Sequence, residues 1–324
     1  MPFARLAAAT TPTSRLGLGL AAVGRPGYIN LGREDDLGDN RSVETLRTRT
    51  HELLDAAYAQ GVRYVDAARS YGRSEEFLAD WLRARPGAAA DIVVGSKWGY
   101  TYTADWTTDA DKHEVKDHGT ATYERQRAET GALLGDRLDL YQIHSVTPDS
   151  PALTDRALHT RLAEAAAGGL TIGFSTSGPA QADAIRAALA VTVDGAPLFR
   201  TVQSTFNVLE TSAGPALAEA HDAGLAVLVK EGMANGRLAA PEAPAPLRAV
   251  AEETGAGPDT VALAFVLRQP WADVVLSGAA TTAQLTSNLR AASVDLTEEH
   301  TARLTALTEE PAAYWSHRSR LPWH

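Results

Sequence analysis

Short apolar segments of strand length alternate with helical patterns along the whole of this 324-residue chain. The predicted strands lie at Arg15–Leu20, Val62–Asp66, Ile92–Ser96, Leu138–Ile143, Leu170–Ser175, Thr201–Ser204, Ala226–Val229 and Val274–Leu276. The helical patterns lie near residues 43–60, 74–84, 120–134, 154–168, 179–190, 213–223, 258–268 and 281–292. Strand-then-helix units in this number predict the α/β class and a (β/α)8 TIM barrel. A doubly wound sheet is the alternative, because the spatial order of strands cannot be read from sequence.

Three segments are longer than a minimal barrel requires: residues 24–41, residues 99–119 and the tail after Glu310. Loops that follow the strands of such a barrel line its active-site face, so the long loops and the tail are expected over the C-terminal face. Aromatic side chains there suit an apolar substrate pocket, for which we predict Trp98, Tyr100, Trp106 and Trp315. Lid packing or a contact within a homo-oligomer is the alternative use of these side chains. No linker or repeat divides the chain, which predicts one domain over residues 1–324.

The charge balance and the cysteine count exclude several classes of function. A formal net charge of −10 disfavours nucleic-acid and anionic-membrane partners. The absence of cysteine excludes disulfides, thiolate metal sites and cysteine nucleophiles. No apolar run approaches the ~20 residues of a membrane span. The sequence therefore predicts a cytoplasmic protein that acts on a small molecule, although the acid-free stretch before Glu34 also resembles a transit peptide.

Polar residues stand at or just after three consecutive predicted strand ends. Asp66 ends the second strand, Tyr71 follows it, Lys97 ends the third strand and His144 ends the fourth. In a parallel barrel these side chains meet at the C-terminal rim. A phenol, with a pKa near ~10, becomes a useful acid or base when a neighbouring cation stabilises its phenolate. Lys97 can supply that charge, Asp66 can hold the lysine, and His144 can hydrogen-bond a substrate oxygen. Each residue alone has an ordinary structural explanation, but together they predict a proton-transfer site.

Two other kinds of site fit the chain less well. The glycine-rich run at residues 17–24 lacks the G-x-G-x-x-G spacing of a dinucleotide fingerprint, and Pro26 and Gly27 interrupt the helix that should follow it. A metal-dependent barrel hydrolase or isomerase requires clustered histidine and carboxylate ligands at strand ends. Asp66 and His144 are the residues of those types at such ends, which is too few for that interpretation.

Several motifs, in order along nearly the whole chain, resemble the aldo-keto reductase superfamily: GVRYVDAARSYGRSE (61–75), SKWG (96–99), DLYQIH (139–144), GFSTSGPAQ (173–181) and LSGAATTAQLTSNL (276–289). The resemblance implies a single (β/α)8 barrel that binds a nicotinamide cofactor without a Rossmann fold. It implies that Tyr71 is the general acid in reduction and that Lys97 and Asp66 tune its pKa. His144 would orient the carbonyl, and hydride would pass from the nicotinamide C4 to the carbonyl carbon.

The resemblance also implies positions for the cofactor. Ser175 and Gln203 match the residues that bind the nicotinamide carboxamide. Residues 277–288 match the segment that holds the adenosine and phosphates, where the predicted contacts are Ser277, Gly278, Gln284 and Asn288. Thr281 and Gln284 also have capping-box spacing, so this segment can equally begin a helix, whose N-terminus is itself a natural phosphate site. NADPH is the usual cofactor of the family and the expected one here, with NADH as the alternative, because Arg290 is the only nearby basic residue.

The chain departs from the family after the seventh strand. Most members carry an aromatic residue there that stacks on the nicotinamide, whereas the run KEGMANGRL places Lys230 at that position and Glu231 after it. Lys230, one of only four lysines, is predicted to belong to the cofactor site. It could pair with Glu231, approach the cofactor's phosphates or polarise a substrate group. Phe206 is a candidate for the missing aromatic surface.

The function that these features predict is an NAD(P)H-dependent carbonyl reductase. The aromatic loop and tail favour a larger, partly apolar ketone over a small sugar. The arginine- and alanine-rich composition and the loops also resemble ketoreductases that tailor polyketide side chains, such as those of aureolic acid pathways. The alternative is a nicotinamide-binding sensor subunit with little turnover, resembling the channel β-subunits of this superfamily.

Overall fold

The computed structural model describes residues 12–29, 31–32, 36–239, 241 and 243–323, so the first eleven residues of the stretch that resembles a transit peptide lie outside the described residues. Its strands are β1 (Leu16–Gly19), β2 (Tyr64–Asp66), β3 (Val93–Trp98), β4 (Tyr100–Tyr102), β5 (Glu114–Lys116), β6 (Leu140–Val146), β7 (Thr171–Thr176), β8 (Thr192–Val193), β9 (Ala196–Pro197), β10 (Thr201–Thr205), β11 (Ala226–Lys230) and β12 (Val274–Ser277). Its helices are α1 (Val43–Ala59), α2 (Ser74–Ala84), α3 (Pro86–Asp91), α4 (Thr120–Leu134), α5 (Arg156–Ala167), α6 (Gln181–Leu189), α7 (Gly214–Asp222), α8 (Ala245–Thr254), α9 (Pro258–Leu267), α10 (Thr282–Leu289), α11 (Glu298–Thr305) and α12 (Pro311–Arg318).

Eight of the strands close into a parallel barrel in the spatial order β1, β12, β11, β10, β7, β6, β3, β2. Closure is visible at β1, where Leu16 is in register with Val275 of β12 and Gly17 with Tyr64 of β2. The remaining strands form two antiparallel hairpins, β4 with β5 and β8 with β9. The predicted (β/α)8 barrel is therefore confirmed, and a doubly wound sheet, which has open edges, is excluded.

Each predicted strand overlaps a barrel strand, and each predicted helical pattern coincides with a helix. Four helices were not predicted: α3, α8, α11 and α12. Three of them carry proline in their first turn, at Pro86, Pro246 and Pro311. Proline is tolerated at that position because the missing N–H has no partner within the helix. In sequence, the same residues look like helix breakers.

A small apolar cluster inside the barrel supports the polar rim from below. It consists of Tyr64, Val93, Leu140, Leu228, Val274 and Leu276, all of them buried. Side chains two or four positions apart on a strand share a face. Tyr64 therefore shares the inner face with Asp66, and Leu140 shares it with His144. This apolar floor closes the lower end of the barrel interior against water.

The C-terminal tail packs across the open end of the barrel, as predicted. In its helix α12, the Arg318 guanidinium donates to the Glu231 carboxylate just after β11. The ring of Trp323 stacks on His113 of the loop between β4 and β5, with centroids 4.2 Å apart. The tail thus spans from β11 to the first hairpin. Among the described helices, none combines the length and apolar character needed to cross a membrane.

Candidate active site

A cavity of about 200 Å³ opens at the C-terminal ends of the barrel strands. Asp66, Tyr71 and His144 line it. Lys97 is fully buried beside them, where its Nζ donates to the Asp66 carboxylate and to the Ala67 carbonyl oxygen at 3.0 Å. The Lys97 Nζ also lies 4.9 Å from the centre of the Tyr71 ring. The fold therefore brings together the four side chains that the sequence predicted to be catalytic.

Three donors surround the Asp66 carboxylate. Oδ2 accepts from Lys97, and Oδ1 accepts from the Tyr64 hydroxyl at 3.0 Å and from Gln203 Nε2 at 2.9 Å. A Cβ at Gly95 on the neighbouring strand would collide with the Tyr64 hydroxyl, so this glycine makes room for the phenol. The sequence analysis missed Tyr64, although the period of two in a strand already places it on the same face as Asp66.

Burial sets the charge state of the two groups that face a substrate. Burial and the nearby Asp66 raise the pKa of Tyr71 well above its usual value of 10, while Arg25 acts in the opposite direction. Burial, together with Lys97 and Lys230, holds the pKa of His144 well below 6.5. Near neutral pH the phenol is therefore protonated and the imidazole is neutral. Their rings meet edge to face at 5.5 Å.

A β-bulge near the end of β6 positions His144. The pairing of β6 with β7 shifts register between Ile143 and Val146, and Ser145 has a positive φ of 59°. Ser145 N donates to Ser175 Oγ at 2.8 Å, and His118 Nε2 lies 2.8 Å from the His144 carbonyl oxygen. Bulges beside active sites commonly re-aim a side chain, and a non-glycine residue at this φ needs such support.

Ser175 is consequently engaged with the backbone of the bulge, and it does not line the cavity. The sequence analysis had assigned it to the nicotinamide carboxamide. His118, which holds the bulge from the other side, was not identified from sequence. Burial lowers the pKa of His118 to about 4, so its ring is neutral, and Nδ1 lies 2.6 Å from Ser150 Oγ.

Four of the predicted cofactor residues do line the cavity: Gln203, Lys230, Ser277 and Gly278. A Cβ added at Gly278 would meet nothing within 4 Å, so the chain leaves open space there. An amide, a hydroxyl and a lysine cation along the cavity lining are donors suited to the carboxamide and phosphate oxygens of a nicotinamide dinucleotide. The donor set therefore fits the cofactor that the family implies.

Gln284 and Asn288 lie away from the cavity lining. Gln284 Oε1 accepts from Ala280 N at 2.9 Å, and its Nε2 donates to Asp36 Oδ2 at 2.6 Å. The side-chain amide of Asn288 is hydrogen-bonded to Ser277 Oγ at 2.8 Å. Thr281 caps helix α10 by accepting from Gln284 N, so the segment does begin a helix as the capping-box spacing predicted. The bond to Asp36 ties this segment to the first long loop.

Of the four predicted pocket aromatics, Tyr100 lines the cavity, with its ring 5.0 Å from that of His144. Trp98 instead packs in the core against Tyr123 at 5.0 Å. Adjacent strand residues point to opposite faces, and Lys97 occupies the inner one. The prediction of Trp98 as a pocket residue did not apply this alternation.

Trp106 and Trp315 are also absent from the cavity lining. Trp106 Nε1 donates to the Arg41 carbonyl oxygen, and Trp315, within the tail helix α12, packs edge to face on Tyr314. The aromatic lining consists instead of Tyr28, Tyr71, Tyr100 and Trp323.

Phe206 does not replace the missing aromatic surface. Its ring is buried behind the barrel, stacked on Phe265 at 6.2 Å and edge to face with Trp271 at 4.9 Å.

Within the described ranges, no group of three or more histidine, aspartate or glutamate side chains is placed to hold a metal ion.

A parallel (β/α)8 barrel with titratable side chains gathered at its C-terminal strand ends has the arrangement that is typical of barrel enzymes. The Aldo/keto reductase family model matches residues 16–309, and the chain belongs to that family. The protein is accordingly an NAD(P)H-dependent oxidoreductase that reduces carbonyl groups.

The chain is also similar to curated proteins and to solved structures. The aldo-keto reductase str7 of Strobilurus tenacellus is 27% identical, over 92% of each chain. The protein tas of Escherichia coli is 25% identical, over 79% of this chain and 88% of its own. The holo form of the aldo-keto reductase AKR11C1 from Bacillus halodurans superposes with a TM-score of 0.68 at 20% identity, covering 91% of this chain and 92% of that one. The last of these likenesses concerns the fold alone.

Proposed function

We propose that this enzyme reduces a ketone with Tyr71 as the proton donor. The observation that carries the proposal is the buried Lys97–Asp66 pair, whose ammonium lies 4.9 Å from the Tyr71 ring at the cavity wall. The bound nicotinamide supplies the hydride. Tyr71, protonated at neutral pH, donates its proton to the carbonyl oxygen as negative charge develops there.

Each of the other residues has a defined task in this step. Lys97 stabilises the phenolate that Tyr71 becomes after donating its proton. Asp66 fixes the position of Lys97, and Tyr64 and Gln203 in turn fix Asp66. His144, neutral and in contact with the Tyr71 ring, hydrogen-bonds the carbonyl oxygen and so orients it toward the proton donor.

We further propose a large, partly apolar ketone as substrate, such as a polyketide side chain. The support is the aromatic lining of Tyr28, Tyr100 and Trp323 together with the apolar side chain of Met233. NADPH is the proposed cofactor, because it is the usual cofactor of the family. NADH is the alternative, because residues 277–288 contain no lysine or arginine and Gln284 is bonded to the Asp36 carboxylate.

The decisive variant is Tyr71→Phe. The absorbance of NADPH or NADH would be followed with a panel of aldehydes, sugars and polyketide ketones. Loss of a general acid is expected to lower kcat by roughly 100- to 10,000-fold. The dissociation constant of the cofactor should stay within about twofold of the wild-type value, because the phenol hydroxyl contacts the substrate oxygen and not the cofactor. Tyr141→Phe, a buried phenol whose hydroxyl meets Thr130 outside the cavity, is the matched control.

Two results would count against this function. One is a Tyr71→Phe enzyme that turns over as fast as the wild type. The other is a wild-type protein that binds cofactor but oxidises it with no carbonyl in the panel. The second result would favour a nicotinamide-binding sensor, whose partner binding should survive the Tyr71 change.

A further inference from the structure

Lys230 ends strand β11 and lines the cavity, with only 14% of its side chain exposed. Its Nζ donates to Thr205 Oγ1 at 2.8 Å. The Glu231 Oε1 atom lies 3.8 Å away, beyond hydrogen-bond distance. The ammonium therefore has one hydrogen-bond partner, the Thr205 hydroxyl, and it lies 5.9 Å from the centre of the Trp315 ring.

Glu231 is already bound by another cation. Arg318 Nε lies 3.0 Å from both Glu231 oxygens, and Arg318 Nη2 donates to Oε1 as well. Thr205 Oγ1 donates to Glu231 Oε2 at 3.1 Å. A guanidinium that engages both oxygens of a carboxylate satisfies most of its acceptor capacity. Arg318 is therefore the main partner of Glu231. This disfavours the first of the three roles predicted for Lys230, which was pairing with Glu231.

The charges at the cavity do not balance. Among the described residues, three carboxylates and four cations stand at or directly beside it, and three of those cations use all the carboxylates. The pairs are Arg25 with Glu114, Lys97 with Asp66, and Arg318 with Glu231. Lys230 is the cation in excess.

Burying this unbalanced positive charge costs free energy. Burial lowers the pKa of Lys230 to about 8, although Glu231 opposes the effect, so the ammonium is still mostly charged at neutral pH. The same positive field helps to hold His144 neutral. A buried cation whose nearest carboxylate, here Glu231 at 3.8 Å, is shared with a second cation is stabilised when an anion enters the cavity.

We propose that Lys230 binds an anionic oxygen group of the ligand, which makes acidic ketones the substrate class. The group would be a carboxylate or an enolate oxygen close to the reacting carbonyl. The diphosphate of the cofactor shares this chemistry and is the other source of such oxygens. The proposal rests on the proposed reductase function, and it concerns the same cavity.

Equilibrium binding tests the proposal without turnover. Oxamate and benzoate would be titrated against the NADPH-loaded protein by tryptophan fluorescence, each beside its uncharged ethyl ester. Lys230→Met is expected to weaken both anions roughly tenfold or more and to leave both esters unchanged, since a charge-assisted hydrogen bond is lost. Lys230→Arg should restore most of the preference for the anions. Lys112→Met, the same substitution at an exposed lysine, should match the wild type.

A second arm separates the two sources of the anion. Titrating NADPH into the free protein shows whether Lys230→Met weakens the cofactor itself. Weaker NADPH binding with unchanged oxamate and benzoate binding would place the diphosphate at Lys230, and the reverse would place the substrate's anion there. Unchanged binding of all these anions, an equal loss for acids and esters, or a wild type without preference for the acids would overturn the proposal. A protein that binds the anions through Lys230 but reduces no ketone would refute the reductase function alone.

Discussion

The buried ion pair between Glu231 and Arg318 holds the C-terminal helix α12 at the mouth of the barrel. Replacing Glu231 by glutamine tests how much this pair contributes to the free energy of unfolding. The exposed fractions of the two side chains are 7% and 22%. Burial alone would raise the pKa of Glu231, but Arg318 and Lys230 outweigh it and lower the pKa from 4.5 to about 2.

The size of the effect follows from that pKa. Each pKa unit corresponds to about 1.36 kcal/mol, so ionised Glu231 adds about 3 kcal/mol to the free energy of unfolding. Removing one partner of a buried pair typically costs ~3–5 kcal/mol, which agrees with this figure. Because the folded-state pKa is the lower one, the contribution is complete above the unfolded pKa of 4.5 and is lost as the pH falls toward 2.

Urea unfolding of the wild type and of Glu231→Gln measures the difference directly. We expect a loss of about 3 kcal/mol at about pH 7, shrinking to about 2 kcal/mol near pH 3.5. Glu219→Gln is the matched control, since Glu219 pairs with both Arg186 nitrogens at 2.8 and 2.7 Å but about half of each side chain is exposed. An exposed pair contributes little to stability, so Glu219→Gln should cost much less than Glu231→Gln. The reasoning fails if Glu231→Gln costs no more than Glu219→Gln, or if its cost does not diminish in acid.

Two further predictions concern residues around the site. Tyr64→Phe removes one of the donors to Asp66, and it should lower kcat roughly tenfold while the affinity for NADPH is kept, whereas Tyr141→Phe should leave kcat unchanged. Equal rates for the two variants would show that the Tyr64 hydroxyl is only a packing element. Trp323→Ala removes the stack on His113 that covers the cavity, and it should raise KM by roughly 2- to 10-fold with kcat held. A KM that does not move would show that the tail plays no part in holding the substrate.

Much of the architecture could be predicted because it depends on short-range patterns. The period of two in strands and the period of about 3.6 in helices located the barrel strands and eight of the helices to within a few residues. The same local information placed Asp66, Lys97 and His144 near the ends of consecutive strands, and parallel strands bring such ends to one rim. The errors at this level were local too, as where the eight-residue helix α12 was not recognised from its short pattern.

The sequence by itself thus indicated eight strand-then-helix units and the strand ends at which Asp66, Lys97 and His144 stand, because periodicity and chain order are properties of neighbouring residues. Only the tertiary structure decided how the rest of the site is made. Glu231 and Arg318 are 87 positions apart and pair because the tail crosses the barrel mouth. The engagement of Ser175 with the β6 bulge depends on one register shift between two strands. The free energy of such contacts depends on distance in space, burial and the direction of each side chain, which no pattern of neighbouring residues specifies.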